Sequence, residues 1–566
     1  MINNPIIHKE VLCALRTKKA ILIQVLFLLV SVGLVTLLWP VGGLQDIGGE
    51  KAMQILSVLT IGELVMIIMF APAFTAASLT SEVEHNTIES LFTTTLKPWQ
   101  IAIGKIVGAL TFLILLVISG IPALALPFLL GGISGETVLA VIGMLLLTAI
   151  FVGMIGLLVS TFMHRSYRAI ITTYAILLGV CFAAALPAWP FGESGSMLRR
   201  GGEIWQKVVH VIVSISPLEA ALSLVLPKSE YAVGANNFPA FWVTFSVVAI
   251  VLTVLMGLWV LYRLRRPFAP PRPREQIKVI ERGQVTTKTV VWHMWFFDPR
   301  RRRKNIAWWQ NPVLMKEFRT RPMLQTRWLI RAISIALISS VLLMFLVNIS
   351  YTVLVTSQTG SAPSVMASAV AALTVVLIVL IGPAIASGTI CADRETGVWD
   401  MLRSTPMSSW RIVCGKFEAS IIPLLLLLLA TLPALLILLF FNVNLWVSIV
   451  RICAVMGMTV LFVSTAGTFF SSVFSRTAIS TAATYALVVS LALLTLLVLL
   501  GGGLFREQDI RMVFMVNPVI AAMDAAGNES VQKYSLFIPH LKIMGIATCT
   551  LFVATVVRVF QLRRAA

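Results

Sequence analysis

Few residues in this chain are of types that do chemistry, and their spacing excludes most chemistry. The six histidines, His8, His85, His164, His210, His293 and His540, are scattered, with no HExxH or other close pattern that would hold a metal. The six cysteines, at 13, 181, 391, 414, 453 and 549, include no CxxC or metal-site spacing. None falls in a segment expected outside the membrane, so no disulfide framework is expected. Gly-Lys occurs at Gly104-Lys105 and Gly415-Lys416. Both pairs lack the earlier glycine and the following Ser/Thr that a phosphate-cradling loop needs. The sequence therefore reads as a non-enzyme.

What remains is one arrangement of carboxylates, tryptophans and lysines, present twice. Residues 84–105 read EHNTIESLFTTTLKPWQIAIGK and residues 395–416 read ETGVWDMLRSTPMSSWRIVCGK. The lengths are equal. Glu84 aligns with Glu395, Leu91 with Leu402, Trp99 with Trp410 and Gly104-Lys105 with Gly415-Lys416. In the first stretch Glu82, Glu84 and Glu89 accompany Ile88, Leu91 and Phe92; in the second Asp393, Glu395 and Asp400 alternate with Trp399, Met401 and Leu402. Acidic residues near the start of a short helix suit its dipole, and apolar ones among them suit a groove on a partner. Lys97-Pro98 and Thr405-Pro406 break each helix, and a new helix restarts toward Gly-Lys. Such a segment recognises a partner and transmits its push. The plainer alternative is an amphipathic connector, with Glu84 and Glu395 capping helices and Lys105 and Lys416 marking the membrane surface.

The elements that position these segments are apolar helices. Hydrophobic residues make up 58% of the 566 and charged residues 12%, about half the charged share of a soluble domain. Runs near the ~20 residues needed to cross a bilayer lie at 20–39, 57–79, 106–130, 138–160, 168–188 and 240–262, then at 328–349, 366–390, 419–441, 446–471, 478–500 and 542–561. The fold class is an all-α membrane protein of about twelve spans, six plus six. Pro122 and Pro127, like Pro423 and Pro433, predict kinked or re-entrant runs. The first run is long for a signal peptide and ends at Trp39-Pro40 without a small-x-small site, so it reads as an uncleaved span.

Net charge is +20, but the basic residues collect beside the ends of apolar runs, as positive-inside charge does. This pattern points to membrane lipids and not to nucleic acid. It places both termini and the joining segment in the cytosol, with 189–239 and 501–541 outside. The chain divides into a first unit, 1–262, a basic proline-containing linker, 263–310, and a second unit, 311–566. From Arg263 to Lys304 the linker carries thirteen Lys/Arg against Glu275, Glu281 and Asp298, which suits an anchor on the inner leaflet.

The halves match beyond the charged loops. Asn4-Pro5 with Lys9-Glu10 matches Asn311-Pro312 with Lys316-Glu317, Pro72 matches Pro383, Arg165 matches Arg476, and Ser216-Pro217 echoes Asn517-Pro518. An even number of spans per half makes the repeats parallel. The segments after Asn4 and Asn311 mix apolar and charged residues as interfacial helices do.

These features together resemble the ABC-2 type transporter permease family, in a fused form with two six-span permease units. The family pattern is an acidic residue, Gly-Thr or a near equivalent, a second acidic residue, a leucine, a small-residue/Pro turn and Gly-Lys. It maps onto Glu395, Gly397-Val398, Asp400, Leu402, Ser404-Thr405-Pro406 and Gly415-Lys416. The first loop offers Glu84, Asn86-Thr87, Glu89, Leu91, Thr94-Thr95 and Gly104-Lys105, without the glycine and with its proline displaced to Pro98. The resemblance implies the permease subunit of an exporter in a prokaryotic-type inner membrane. Its partners would be cytosolic ATP-binding cassette subunits, as a dimer, with ATP and Mg on those subunits and no cofactor on this chain. The implied coupling residues are Glu84, Glu89, Leu91, Trp99 and Lys105 in the first loop. In the second they are Glu395, Gly397, Asp400, Leu402, Pro406, Trp410 and Lys416. The second loop is expected to tolerate change less.

Two other readings are a secondary transporter and a non-transporting scaffold. A secondary transporter needs ionisable or unwound sites at mid-membrane, and here the spans carry few charges. Glu63 and Glu418 are the main exceptions. Glu418 follows Gly415-Lys416 at the interface, whereas Glu63 is a candidate for the translocation path. Apolar spans mildly favour a hydrophobic or amphipathic cargo and leave its identity open.

Overall fold

The computed structural model describes residues 5–16, 49–84, 98–129, 133–163, 166–183, 210–225, 241–264, 311–320, 362–437, 445–496 and 507–564, with a few isolated positions besides. All described regular structure is helical. Eight described helices are long and apolar enough to cross a membrane, and two shorter apolar ones cover Arg168–Cys181 and Ile479–Ala492. The chain is thus a multi-span, all-α membrane protein. The predicted runs at 20–39 and 328–349 and the linker lie outside the described residues, apart from isolated positions.

The chain separates into two compact units, one of Met1–Arg266 with Tyr485–Asn517, the other of Pro267–Thr484 with Pro518–Ala566. Each unit repeats one packing scheme. In the first, the short helix Pro5–Arg16 lies along Pro98–Leu129, Gly49–Thr75 packs on Gly135–Ser160, Phe241–Leu264 packs on Gly135–Ser160, and Pro217–Val225 packs on Gly49–Thr75. In the second, Pro312–Thr320 lies along Ser409–Ile437, and Ala362–Ala386 packs on Trp446–Val473. Phe537–Arg564 also packs on Trp446–Val473, and Pro518–Ala525 packs on Ala362–Ala386.

The repeat extends to single residues. A Cβ added at Gly156 would stand 2.0 Å from Thr75 Oγ1 and 3.2 Å from the Ala76 nitrogen. One added at Gly467 would stand 2.4 Å from the Ala386 Cβ and 3.1 Å from the Ser387 nitrogen. The two glycines occupy matching positions, and each lets two helices cross at backbone distance.

The proline-bearing runs are continuous. Pro122 and Pro127 lie within Pro98–Leu129, and Pro423 and Pro433 within Ser409–Ile437, so neither run re-enters. Packed neighbours hold a transmembrane helix through the hydrogen bond that each proline removes. Many buried hydroxyls are satisfied inside their own helices, as Thr60 is by the Leu56 carbonyl at 2.7 Å and Thr459 by that of Val455 at 2.8 Å. That is the economical solution where no water is at hand.

Candidate functional site

The second charged loop is described throughout. Cys391–Glu395 and Val398–Arg403 are two short helices joined through Gly397, whose φ of 73° is left-handed. Only glycine takes that conformation without a steric penalty. The turn at Thr405-Pro406 follows, and Ser409–Ile437 begins next. This helix carries Gly415-Lys416 inside its first turns, earlier than the apolar run alone indicates.

Lys416 is fully buried. Its Nζ lies 2.6 Å from Glu317 Oε1, donates to the Thr389 carbonyl at 2.7 Å and bonds Asp393 Oδ2. Lys316 reaches the same Asp393 oxygen at 2.8 Å. Two lysines and two carboxylates therefore tie three elements together: the interfacial helix, the loop and the helix that follows it. The matching glycines permit this approach. A Cβ at Gly415 would stand 2.7 Å from the Asn311 side chain, and one at Gly104 would stand 2.6 Å from Ile6. Asn311 in turn donates to the Arg411 carbonyl at 2.8 Å and accepts from the Val313 N–H at 3.1 Å. In the first unit Lys105 is likewise buried and pairs with Glu82 at 2.5 Å. Glu82 is the residue that aligns with Asp393.

Glu395 braces the loop on another side. Its carboxylate accepts from the N–H and the hydroxyl of Thr477, both at 2.8 Å, at the start of Thr477–Leu493. An anion there meets the positive end of the helix dipole. The Ser471 hydroxyl accepts from the N–H groups of Ile390 and Cys391 at 2.8 and 2.9 Å. On the far side, the Arg563 guanidinium donates to the carbonyls of Met407 at 2.5 Å and Thr405 at 3.2 Å. Trp399 and Leu402 pack inward with Val313, Ile390, Ile412, Val413 and Val559.

The sequence-predicted residues thus separate into two sets. Lys416, Glu395 and Leu402 hold the loop to its own unit. Asp400, Met401, Pro406 and Trp410 are exposed, Met401 to 73%. Trp410 also meets Phe552 edge-on, with ring centroids 5.3 Å apart. Gly397 is exposed and shapes the path between the short helices. In the first loop, Trp99 is exposed and Lys105 buried. Glu89 and Leu91, with the rest of 85–97, lie outside the described residues, as does the side chain of Glu84. Sequence reasoning missed Glu317, Thr477, Ser471 and Arg563 as braces. The pairing of Lys316-Glu317 with Lys9-Glu10 was the one available signal.

Glu63 lies apart from both loops, buried in Gly49–Thr75. Among the described residues, no group of three or more His, Cys, Asp or Glu stands close enough to hold a metal ion.

The described residues thus form a bundle of apolar helices with a short polar helix braced at its edge. Residues 41–262 match the family model described as ABC-2 family transporter protein, and residues 312–558 match a second model of the same description. Comparison with individual curated proteins gave no significant match. The chain belongs to the ABC-2 family transporter proteins and carries the family's membrane domain twice, covering most of its length. It is a non-catalytic transport permease.

Proposed function

We propose that this permease exports its substrate by taking force from separate ATP-binding cassette subunits through its two charged loops. The observation that carries this reading is the division of labour in the second loop. A lever must be fixed to what it moves and open to what moves it. Asp393, Trp399 and Leu402 are turned into the unit and Glu395, though exposed, is bonded to Thr477, while Asp400 and Met401 face outward with Trp410 half turned onto Phe552. A push on Met401 is therefore delivered to the helices without slack. The first loop would bear on its subunit through Glu84, Glu89, Leu91 and Trp99, so a dimer of subunits carrying ATP and Mg serves the two loops.

In this reading each family match is a six-span unit, 1–262 and 311–566, joined by the cytosolic linker 263–310. Both termini are cytosolic in a prokaryotic-type inner membrane. Ten of the twelve spans correspond to described apolar helices, and the charge bias orients them. A cysteine-free background with single cysteines checks the topology. Ser194→Cys and Gln532→Cys should react with an impermeant reagent from outside, and Gln276→Cys only after permeabilisation. Reversed labelling overturns the orientation.

The coupling is tested by Asp400→Arg with Met401→Glu, which changes only outward side chains. We expect the variant to fold and insert normally while losing co-purification with the ATP-binding subunit and its stimulation. Glu84→Arg with Glu395→Arg should lose both as well. Undiminished stimulation in both variants would refute the loops as the contact.

A further inference from the structure

Glu63 sits twelve residues into the span that starts at Lys51, about 18 Å along the helix at 1.5 Å per residue. That is about 6 Å short of the midpoint of this span, within reach of a hydrocarbon core about 30 Å thick. The residue is only 3% exposed, and among the described residues neither carboxyl oxygen meets a hydrogen-bond partner. It lies across Gly120 of the Pro98–Leu129 helix. A Cβ on that glycine would stand 2.2 Å from Oε1 and 2.7 Å from Oε2. The missing side chain at Gly120 is what makes the slot.

The helix crossing itself does not require this carboxyl. The matching positions of the second unit are Thr374 and Thr431, and each hydroxyl is satisfied by its own helix, at the Val370 and Leu428 carbonyls, both at 2.8 Å. One repeat crosses these helices with two self-satisfied threonines, and the other uses a carboxyl and a glycine. A buried polar group without a partner is costly, and a buried charge costs several kcal/mol unless it is paired. An apolar residue would make the first unit more stable. The carboxyl is explained by a partner that is present only part of the time.

We propose that Glu63 binds the positive head of a transported amphiphile, a protonated amine on an apolar body. The proposal rests on the permease reading above and names the substrate class that reading leaves open. Facing a cation the carboxyl is a carboxylate, which offers only acceptors, and the bond is made by a donor on the partner. A cationic donor gives the stronger bond, and the apolar surroundings suit the rest of the molecule. The matching crossing of the second unit has Thr374 in place of the carboxyl, so the proposed site belongs to the first unit.

The test uses the full chain in nanodiscs without any ATP-binding subunit. The probes are a dansyl-tagged alkylamine and its N-acetyl derivative, which removes the charge and keeps the apolar body. Binding is read by fluorescence against empty nanodiscs. We expect wild-type protein to prefer the amine by about tenfold or more, as one charge-assisted bond implies. Glu63→Gln should abolish that preference, and Glu63→Asp should keep part of it. Glu63→Met, with an apolar side chain of similar length, should abolish the preference as well and raise thermal stability, so loss of folding does not explain the result. Equal affinity of wild type for the two probes, or an amine preference that survives in Glu63→Gln, overturns the proposal. Amine preference with no ATP-driven export in reconstituted vesicles would instead count against the permease mechanism and leave the site standing.

Discussion

Lys416→Met is the sharpest probe of the braced loop. In the native unit Lys416 and Lys316 face Glu317 and Asp393, so the cluster is neutral. Removing Lys416 leaves two carboxylates to one lysine, and the Glu317 side chain is 2% exposed. The 2.6 Å contact with Glu317 is worth about 6 kcal/mol gross at an effective dielectric of about 20. Desolvation offsets much of that while the pair is intact. Once one partner is removed, the remaining buried charge costs about 3–5 kcal/mol. Lys316 limits the damage because it already reaches Asp393, which places the expected loss near 3 kcal/mol, or on the order of 10 °C in Tm for a unit of this size. The assay is thermal unfolding in detergent, followed by ATPase stimulation with the partner subunit. A triple variant, Lys416→Met with Glu317→Gln and Asp393→Asn, should recover most of the stability, because the one charge it leaves, Lys316, is on a side chain 26% exposed and reaches water. It should not recover stimulation, because the interfacial helix is no longer tied to the loop. A single variant losing less than about 1 kcal/mol, or a triple variant as unstable as the single, would refute the account.

Three other outcomes are expected. Gly397→Val should cost about 1–3 kcal/mol because of its left-handed φ, and Gly397→Asn should cost less because asparagine tolerates that region. A Cβ there meets nothing within 4 Å, so equal losses would point to a cause other than backbone conformation. Gly467→Ala should lower thermal stability more than Gly156→Ala. At Gly467 the Ala386 carbonyl carbon stands only 3.0 Å from the new Cβ and cannot turn aside, whereas the nearest contact at Gly156 is the Thr75 side chain; the reverse order would contradict the crossing geometry. Asp524 accepts from the N–H groups of Leu536 and Phe537, both at 2.9 Å. Burial raises its pKa against the pull of those bonds and of Arg451. The folded state therefore keeps that proton to higher pH than the unfolded chain, and the contribution of Asp524 to stability falls as pH rises from about 3.9 through the folded value. Melting curves of Asp524→Asn should be flatter than wild type across that window, and an unchanged slope would exclude Asp524 as the source.

The spans were legible because nothing but a helix satisfies the backbone inside a membrane. Runs such as 138–160 and 446–471 closely match Gly135–Ser160 and Trp446–Val473. Span starts were less legible where charge enters the helix. Lys416 reads as an interfacial marker, yet it lies inside Ser409–Ile437 because Glu317 and Asp393 neutralise it there. Those partners are 99 and 23 residues away in sequence, and local periodicity carries no trace of such pairings. Leu402 was expected to meet a groove on a partner. A six-residue helix has too few turns to show which face looks inward, and Leu402 is buried in the cluster that also holds Val313 and Val559. Glu395 was weighed as a helix cap, and the helix it meets begins 82 residues later.

The separation of holding residues from outward residues in the second loop also bears on how such a permease changes partners. Substitution at Lys416, Glu395 or Leu402 damages the chassis whatever the partner is. Substitution at Asp400 or Met401 alters what the loop presents while leaving every brace in place. In the coupling proposed above, a lineage re-addresses the same machine to a different ATP-binding subunit through a few surface changes, without passing through an unstable intermediate.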